Sequence, residues 1–455
     1  MKFNKVHIVG IGGISMSGIA KVLLQRGINV SGSDIEENDQ VAILKNMGAD
    51  IHIGHRKENI QDADAVVYTN AVSNDNVELK KARESNIKIY KRAQFLSELF
   101  KNKATIAVTG THGKTTTTSM LASIFIQADL DPSVMVGGNL DIINGNIKNG
   151  KGEDFITEAD ESDGSLIFFD PKYAVITNIE LDHFNYYNNE KEVVKKYEEF
   201  IDKVPPNGAI VLWDNILDKY PKLIEIHPNT TTYGINKGDY TAKNIRLNSY
   251  NSSFDLYIGN NKEVEINLNV PGKHNILNAL AAFSISHMRG LSIEEIAVGL
   301  EHYKGVKRRF EKKGEYNGAL IIDDYAHHPT EIINTIETAV RTSPNKLYAI
   351  FQPHRYSRTK NLMEEFSLSF DNVDELILTD IYSASEKPIP GINSKKLFEL
   401  IEKRKKTESL KINIKYISDF KDINDYLKNN LKKGDLLLTI GAGNVYEIGE
   451  ELVGE

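Results

Sequence analysis

Ile106-Ala107-Val108-Thr109-Gly110-Thr111-His112-Gly113-Lys114-Thr115-Thr116-Thr117-Thr118 reads as a strand, a glycine turn and the first turns of a helix. That order builds a phosphate cradle. Gly110 and Gly113 let the amides of Gly110 to Thr116 converge on phosphate oxygens, and the helix N-terminus adds partial positive charge. Lys114 suits the terminal phosphates and the Thr115 hydroxyl suits magnesium. Val108 stands where the usual eight-residue pattern has its first glycine, so this is a shortened version. The competing reading is a glycine turn that happens to precede a threonine-rich helix.

Magnesium needs hard oxygen ligands, and they are close in sequence. The apolar run Phe155-Ile156-Thr157 delivers Glu158, Asp160, Glu161 and Asp163 at a strand end. A second run, Tyr173 to Thr177, leads through Glu180 to Asp182 and His183. His183 reads either as a ligand or as surface or core filler.

Outward from this centre, short β-branched runs alternate with amphipathic helical stretches, which predicts parallel sheets with crossover helices. At 455 residues the chain exceeds one ordinary core, and three blocks separate at 1–100, 101–309 and 310–455. Residues Thr230 to Val270 read as antiparallel strands without recognisable chemistry. The third block predicts strands near 320–322, 347–351, 376–379, 412–417 and 436–439.

The first block opens with Gly10-Ile11-Gly12-Gly13-Ile14-Ser15 after a strand, with Ser33-Asp34 after the next. The pattern is a weak dinucleotide fingerprint, and the firmer reading is an anion site at a helix N-terminus. Asn275 and Asn278 open an alanine-rich helix, where they suit either an adenine edge or helix capping. Arg309 suits a phosphate by its permanent charge and planar fork. In the third block, Asp324-Tyr325 and His354-Arg355-Tyr356-Ser357-Arg358 follow strands, and His and Arg suit a carboxylate substrate.

Bulk properties narrow the class. The chain has no cysteine, so thiolate metal sites, disulfides and cysteine nucleophiles are excluded. A net charge of -8 argues against a general nucleic-acid surface, and no apolar run reaches the roughly 18 residues needed to cross a bilayer. Met1 to Lys5 runs straight into Val6 to Val9 without an apolar signal segment, so a cytoplasmic location is expected.

Together, HIVGIGGISMSGIA, GTHGKTTTT, EADESD, TNIELDH, PGKHNILNA, GVKRRF, DDYAHHPTE and QPHRYSRT, in this order, closely resemble the Mur ligase family of ATP-dependent amide-forming enzymes. The resemblance covers essentially the whole chain. It implies a three-domain α/β architecture, with Rossmann-like first and last domains around a P-loop ATPase-like centre. It implies UDP-sugar binding by 1–100 through Gly10, Gly12, Gly13, Ser15, Ser33 and Asp34. ATP would meet Gly110 to Thr116, Asn275, Asn278 and Arg309 in 101–309, with Thr115, Glu158 and His183 holding magnesium. Lys114, Glu158, His183 and Arg309 would be catalytic, and Asp324, Tyr325, His354 and Arg358 in 310–455 would receive the amino acid. The implied reaction joins L-alanine to the carboxylate of UDP-N-acetylmuramate through an acyl phosphate, in a monomer or weak homodimer. Ser15 and the Ser383-Ala384-Ser385-Glu386 segment depart from the usual family pattern. Competing classes are a nicotinamide oxidoreductase, a non-catalytic nucleotide switch, and a family member that joins an intact peptide.

Overall fold

The computed structural model describes residues 3–454 apart from 70, 163, 183, 185 and 188. Three sheets follow one another along the chain. The first contains β1 (Lys5–Val9), β2 (Asn29–Asp34), β3 (Asp50–Ile53), β4 (Ala65–Tyr68) and β5 (Lys88–Lys91), all parallel, in the order β3-β2-β1-β4-β5.

The second sheet contains β6 (Ala104–Thr109), β7 (Ser133–Leu140), β8 (Gly145–Lys148), β9 (Asp154–Glu158), β10 (Tyr173–Ile176), β11 (Ala209–Trp213), β12 (Thr230–Gly234), β13 (Tyr240–Leu247), β14 (Ser252–Ile258) and β15 (Asn261–Leu268). Its order is β15-β14-β13-β12-β11-β10-β6-β9-β7-β8. The third contains β16 (Glu311–Tyr316), β17 (Ala319–Asp324), β18 (Leu347–Phe351), β19 (Glu375–Leu378), β20 (Asn413–Tyr416) and β21 (Leu436–Ile440), ordered β16-β17-β21-β18-β19-β20.

Apolar residues on both faces of β6 explain its central place. Ile106 and Val108 pack with the helices Lys114–Gln127 and Lys273–Arg289, while Ala107 joins the cluster on the opposite face. All three residues are fully buried, and a buried Val or Ile contributes about 1.5–3 kcal/mol. The opposite cluster runs on into the first sheet's core, and Phe100 stacks on Phe155 at 4.1 Å between ring centroids.

One strand expectation needs correction. β12 lies parallel to β11 and extends the parallel part of the sheet; antiparallel pairing starts at β13–β14. The hairpin β7–β8 and the edge strand β16 were not anticipated. Both are short on periodic apolar signal: β7 ends in Gly-Gly-Asn-Leu, and β16 is Glu-Lys-Lys-Gly-Glu-Tyr. The link from 305 to 310 joins the second sheet to the third, with Arg308 and Phe310 at φ of 63° and 50°.

Candidate active site

The loop after β6 is gripped by the end of β10. Asn178 accepts the His112 amide through Oδ1 at 2.9 Å and donates to the His112 carbonyl at 2.9 Å, while the Thr177 hydroxyl donates to that carbonyl at 2.5 Å. Gly110 has φ of 136°, and a Cβ there would stand 2.1 Å from Thr177 Oγ1. Gly113 has φ of 82°, with Asn278 Oδ1 2.5 Å from its notional Cβ. Side chains are excluded at both positions by backbone conformation and by space.

Lys114 lies at the start of the helix Lys114–Gln127 and donates to the Gly110 carbonyl at 2.5 Å and to Glu161 at 2.9 Å. Burial alone would lower its pKa, but Glu161, Asp160 and Glu158 outweigh burial and hold the ammonium charged. The Thr115 hydroxyl donates to Glu158 at 3.2 Å, and the Gly137 amide of β7 donates to the same carboxylate. Burial pushes the Glu158 carboxyl up, against the pull of Gly137 and Lys114. Thr115 and Glu158 therefore form a half-buried hard-oxygen pair of the kind magnesium takes. His183 and Asp163, which were also expected at this rim, lie outside the described residues.

Beside the loop is a narrow cavity of about 160 Å³ between the second and third sheets, walled by Thr116, Trp213, Tyr233, His274, Asn275 and Asn278 on one side. Arg309, Phe310, Asp324, Glu331 and Asn334 close the other. Trp213 and Tyr233 were missed because the strands that carry them read as ordinary framework. The asparagines do not cap their helix: its N-cap is Gly272 without a side-chain bond. Asn275 donates to the Pro271 carbonyl at 2.7 Å, and Asn278 Oδ1 accepts from Thr117 at 3.3 Å.

His112 faces this cavity between Glu331 at 3.1 Å and Glu180 at 3.4 Å. Burial opposes its charge, yet the two carboxylates raise it to about 9. Asp324 is raised to about 6, chiefly by burial and only partly offset by Arg309. It accepts from Phe310 N at 3.1 Å, Ala326 N at 2.8 Å and Thr335 at 3.1 Å, so it fixes the turn after β17.

Comparison with known proteins puts this geometry in context. Residues 5–104 match the Mur ligase family catalytic domain, 108–286 the Mur ligase middle domain, and 308–443 the Mur ligase glutamate ligase domain. The chain belongs to the Mur ligase family.

A UDP-N-acetylmuramate--L-alanine ligase of Clostridium acetobutylicum is 47% identical over 451 residues, spanning 98% of this chain and 97% of the relative. The crystallised UDP-N-acetylmuramate-alanine ligase of Thermotoga maritima aligns with a TM-score of 0.83 at 29% identity, over 100% of this chain and 99% of that one. A murein peptide ligase of Psychrobacter arcticus shares the fold, with a TM-score of 0.69 at 24% identity over 99% and 98% of the two chains.

In this Mur ligase the first-sheet loop borders a crevice of about 610 Å³ lined by Gly10, Gly12, Gly13, Asp34, His55 and Asn76, among others. Asp34 accepts the Gly12 amide at 2.7 Å. Ser15 is not among the crevice walls, and Ser33 is fully buried, donating to Glu78 at 2.6 Å. Ser33 thus belongs to the floor under the loop. Burial works against the Glu78 carboxylate, but His7, 3.7 Å away, and hydrogen bonds from Ser33 and Asn59 bring it down to about 2.

On the third sheet, Tyr325 lies under both Arg308 at 5.0 Å and Arg309 at 5.2 Å, and its ring meets His327. His354 stacks on Tyr382 at 5.6 Å, and burial and then Arg358 lower it to about 3. His327 is lowered to about 3, mainly by burial. Both imidazoles are neutral. Arg358 is placed differently from the carboxylate anchor expected of it. It is 4% exposed and makes a bidentate pair with Asp182 at 3.1 and 2.9 Å, tying the third sheet to the loop after β10. Arg308 was given no role in the sequence reading. Its guanidinium bonds Asp323 and the Gly441 and Gly443 carbonyls, which leaves Arg309 turned to the cavity.

Proposed function

We propose that the chain joins the amine of L-alanine to the carboxylate of UDP-N-acetylmuramate with cleavage of ATP, giving UDP-N-acetylmuramoyl-L-alanine, ADP and phosphate for peptidoglycan synthesis in the cytoplasm. The observation that carries this reading is near-half identity, end to end, with a ligase of that name. The same reading divides the labour among the three sheets: UDP-sugar in the first-sheet crevice, ATP at the Gly110 to Thr116 loop, alanine near Tyr325 and His354.

The muramoyl carboxylate attacks the γ-phosphorus, forming an acyl phosphate as the bond to ADP breaks. The alanine nitrogen then attacks the acyl carbon; phosphate leaves with the C–O electron pair and the nitrogen sheds a proton. Both anions must approach each other, so positive charge is the main requirement. Lys114 supplies it once triphosphate replaces Glu161 as its partner, and Arg309 supplies it from the third sheet. Thr115 and Glu158, with His183, would hold magnesium, which when bound adds charge at the phosphates. The neutral imidazoles of His327 and His354 add no positive charge of their own to repel an approaching amine.

Phosphate release from ATP, magnesium and UDP-N-acetylmuramate tests the reading with L-alanine, glycine, D-alanine and the L-Ala-γ-D-Glu-diaminopimelate tripeptide as acceptors. L-Alanine should give the fastest release, with glycine following at about 10- to 200-fold lower efficiency because one methyl group separates them. Release with the tripeptide alone reassigns the chain to peptide joining. No release with any acceptor removes ligation.

A further inference from the structure

Glu180 stands between two imidazoles that come from different sheets. Its Oε2 is 3.4 Å from Nε2 of His112, on the phosphate loop, and 3.7 Å from Nδ1 of His328, in the turn after β17. One ligand atom from each residue can be chosen so that all three lie within 4.8 Å of one another. A tetrahedral ion bound at about 2.0–2.1 Å holds its neighbouring ligand atoms about 3.3–3.4 Å apart. Two of the three edges are close to that spacing already.

Two further features fit ligation. Nδ1 of His112 is 3.1 Å from Glu331, which leaves Nε2 as the ring nitrogen turned toward Glu180; a carboxylate behind a histidine is the usual outer support of a metal-bound imidazole. Nε2 is itself buried and makes no hydrogen bond. His328 Nδ1 accepts a long 3.4 Å bond from Thr330 N, a helix cap that an ion would replace.

We propose that His112, Glu180 and His328 form a binding site for a divalent transition-metal ion of the zinc class, joining the phosphate loop to the third sheet. Two imidazoles and one carboxylate select zinc, cobalt or nickel over magnesium, which keeps to the oxygens of Thr115 and Glu158. On binding, the proton on His112 Nε2 passes to solvent and the one toward Glu331 stays. Glu180 is the most exposed of the three and borders the nucleotide cavity, so the fourth position opens to water or ligand.

The test is calorimetric titration of the nucleotide-free, full-length protein with zinc chloride alone, alongside His328→Asn, Glu180→Gln and Glu158→Gln. One zinc should bind the wild type, with affinity at least tenfold lower in His328→Asn and Glu180→Gln and unchanged in Glu158→Gln. Cobalt(II) in its place should give a tetrahedral visible spectrum that His328→Asn abolishes. Circular dichroism checks each fold, and Glu180→Gln decides should His328→Asn not fold. Zinc binding lost in Glu158→Gln but kept in His328→Asn, equal binding by all four proteins, or none by the wild type overturns the proposal.

Discussion

At the scale of single residues, buried charges carry the sharpest expectations. Asp182 and Arg358 are 4% and 4% exposed, so removing one takes a bidentate charge partner from the other in a buried place. Asp182→Asn or Arg358→Met should each cost about 3–5 kcal/mol, whereas the double change to apolar residues should recover much of it. Chemical denaturation of the three variants measures this, and equal loss in singles and double would contradict the pairing. Lys114→Ala should lower turnover at least about 100-fold while UDP-sugar binding, read by calorimetry, stays within about twofold. Parallel loss of both would show that the two ligands do not occupy separate sheets. Glu78 gives a pH expectation. Its pKa falls from 4.5 to about 2 on folding, so its contribution is full above about pH 4.5 and is lost as pH falls through 2. Glu78→Gln should flatten the acid dependence of stability between those values, followed by far-ultraviolet circular dichroism. Residue types were legible in sequence here, but partners were not: nothing local to Arg358 marks Asp182, 176 positions away.

At the scale of elements, strand-loop-helix order was readable because each step has a local cause. β6, β9 and β10 are apolar runs ending in turn or acidic residues, and parallel pairing places those ends at one edge. The loop after β6 needs Gly113 in the left-handed region and without a Cβ. Gly113→Ala should therefore raise the KM for ATP about tenfold or more, from strain of about 1–2 kcal/mol plus collision with Asn278. Gly113→Ala,Asn278→Ala should regain part of the loss, and steady-state kinetics decides whether it does. The hairpin β7–β8 escaped notice although Gly137 holds Glu158, since a backbone amide leaves no trace in residue type.

At the scale of the whole molecule, the cavity proposed for the nucleotide exists because two sheets face each other. Trp213 and Tyr233 come from one, Phe310 and Glu331 from the other. Arg308 anchors the link between them, between the rings of Tyr325 at 5.0 Å and Tyr446 at 4.4 Å. Arg308→Ala should lower kcat/KM for ATP by about 10-fold or more by loosening Arg309, with UDP-sugar affinity unchanged. The single tryptophan reports on the same cavity, so ATP should alter its fluorescence in the wild type, with a half-saturation shifted upward in Arg308→Ala.

The sequence by itself determined the three α/β blocks, the glycine loop between β6 and its helix, and the acidic strand ends, because strand periodicity, glycine conformation and side-chain charge are local to a few neighbouring residues. Tertiary structure alone decided that Ser33 lies under the crevice floor, that Arg358 is spent on Asp182, and that Trp213 and Tyr233 wall the cavity. Burial and charge pairing depend on which surfaces meet, and residues that are far apart along the chain meet only when the sheets pack.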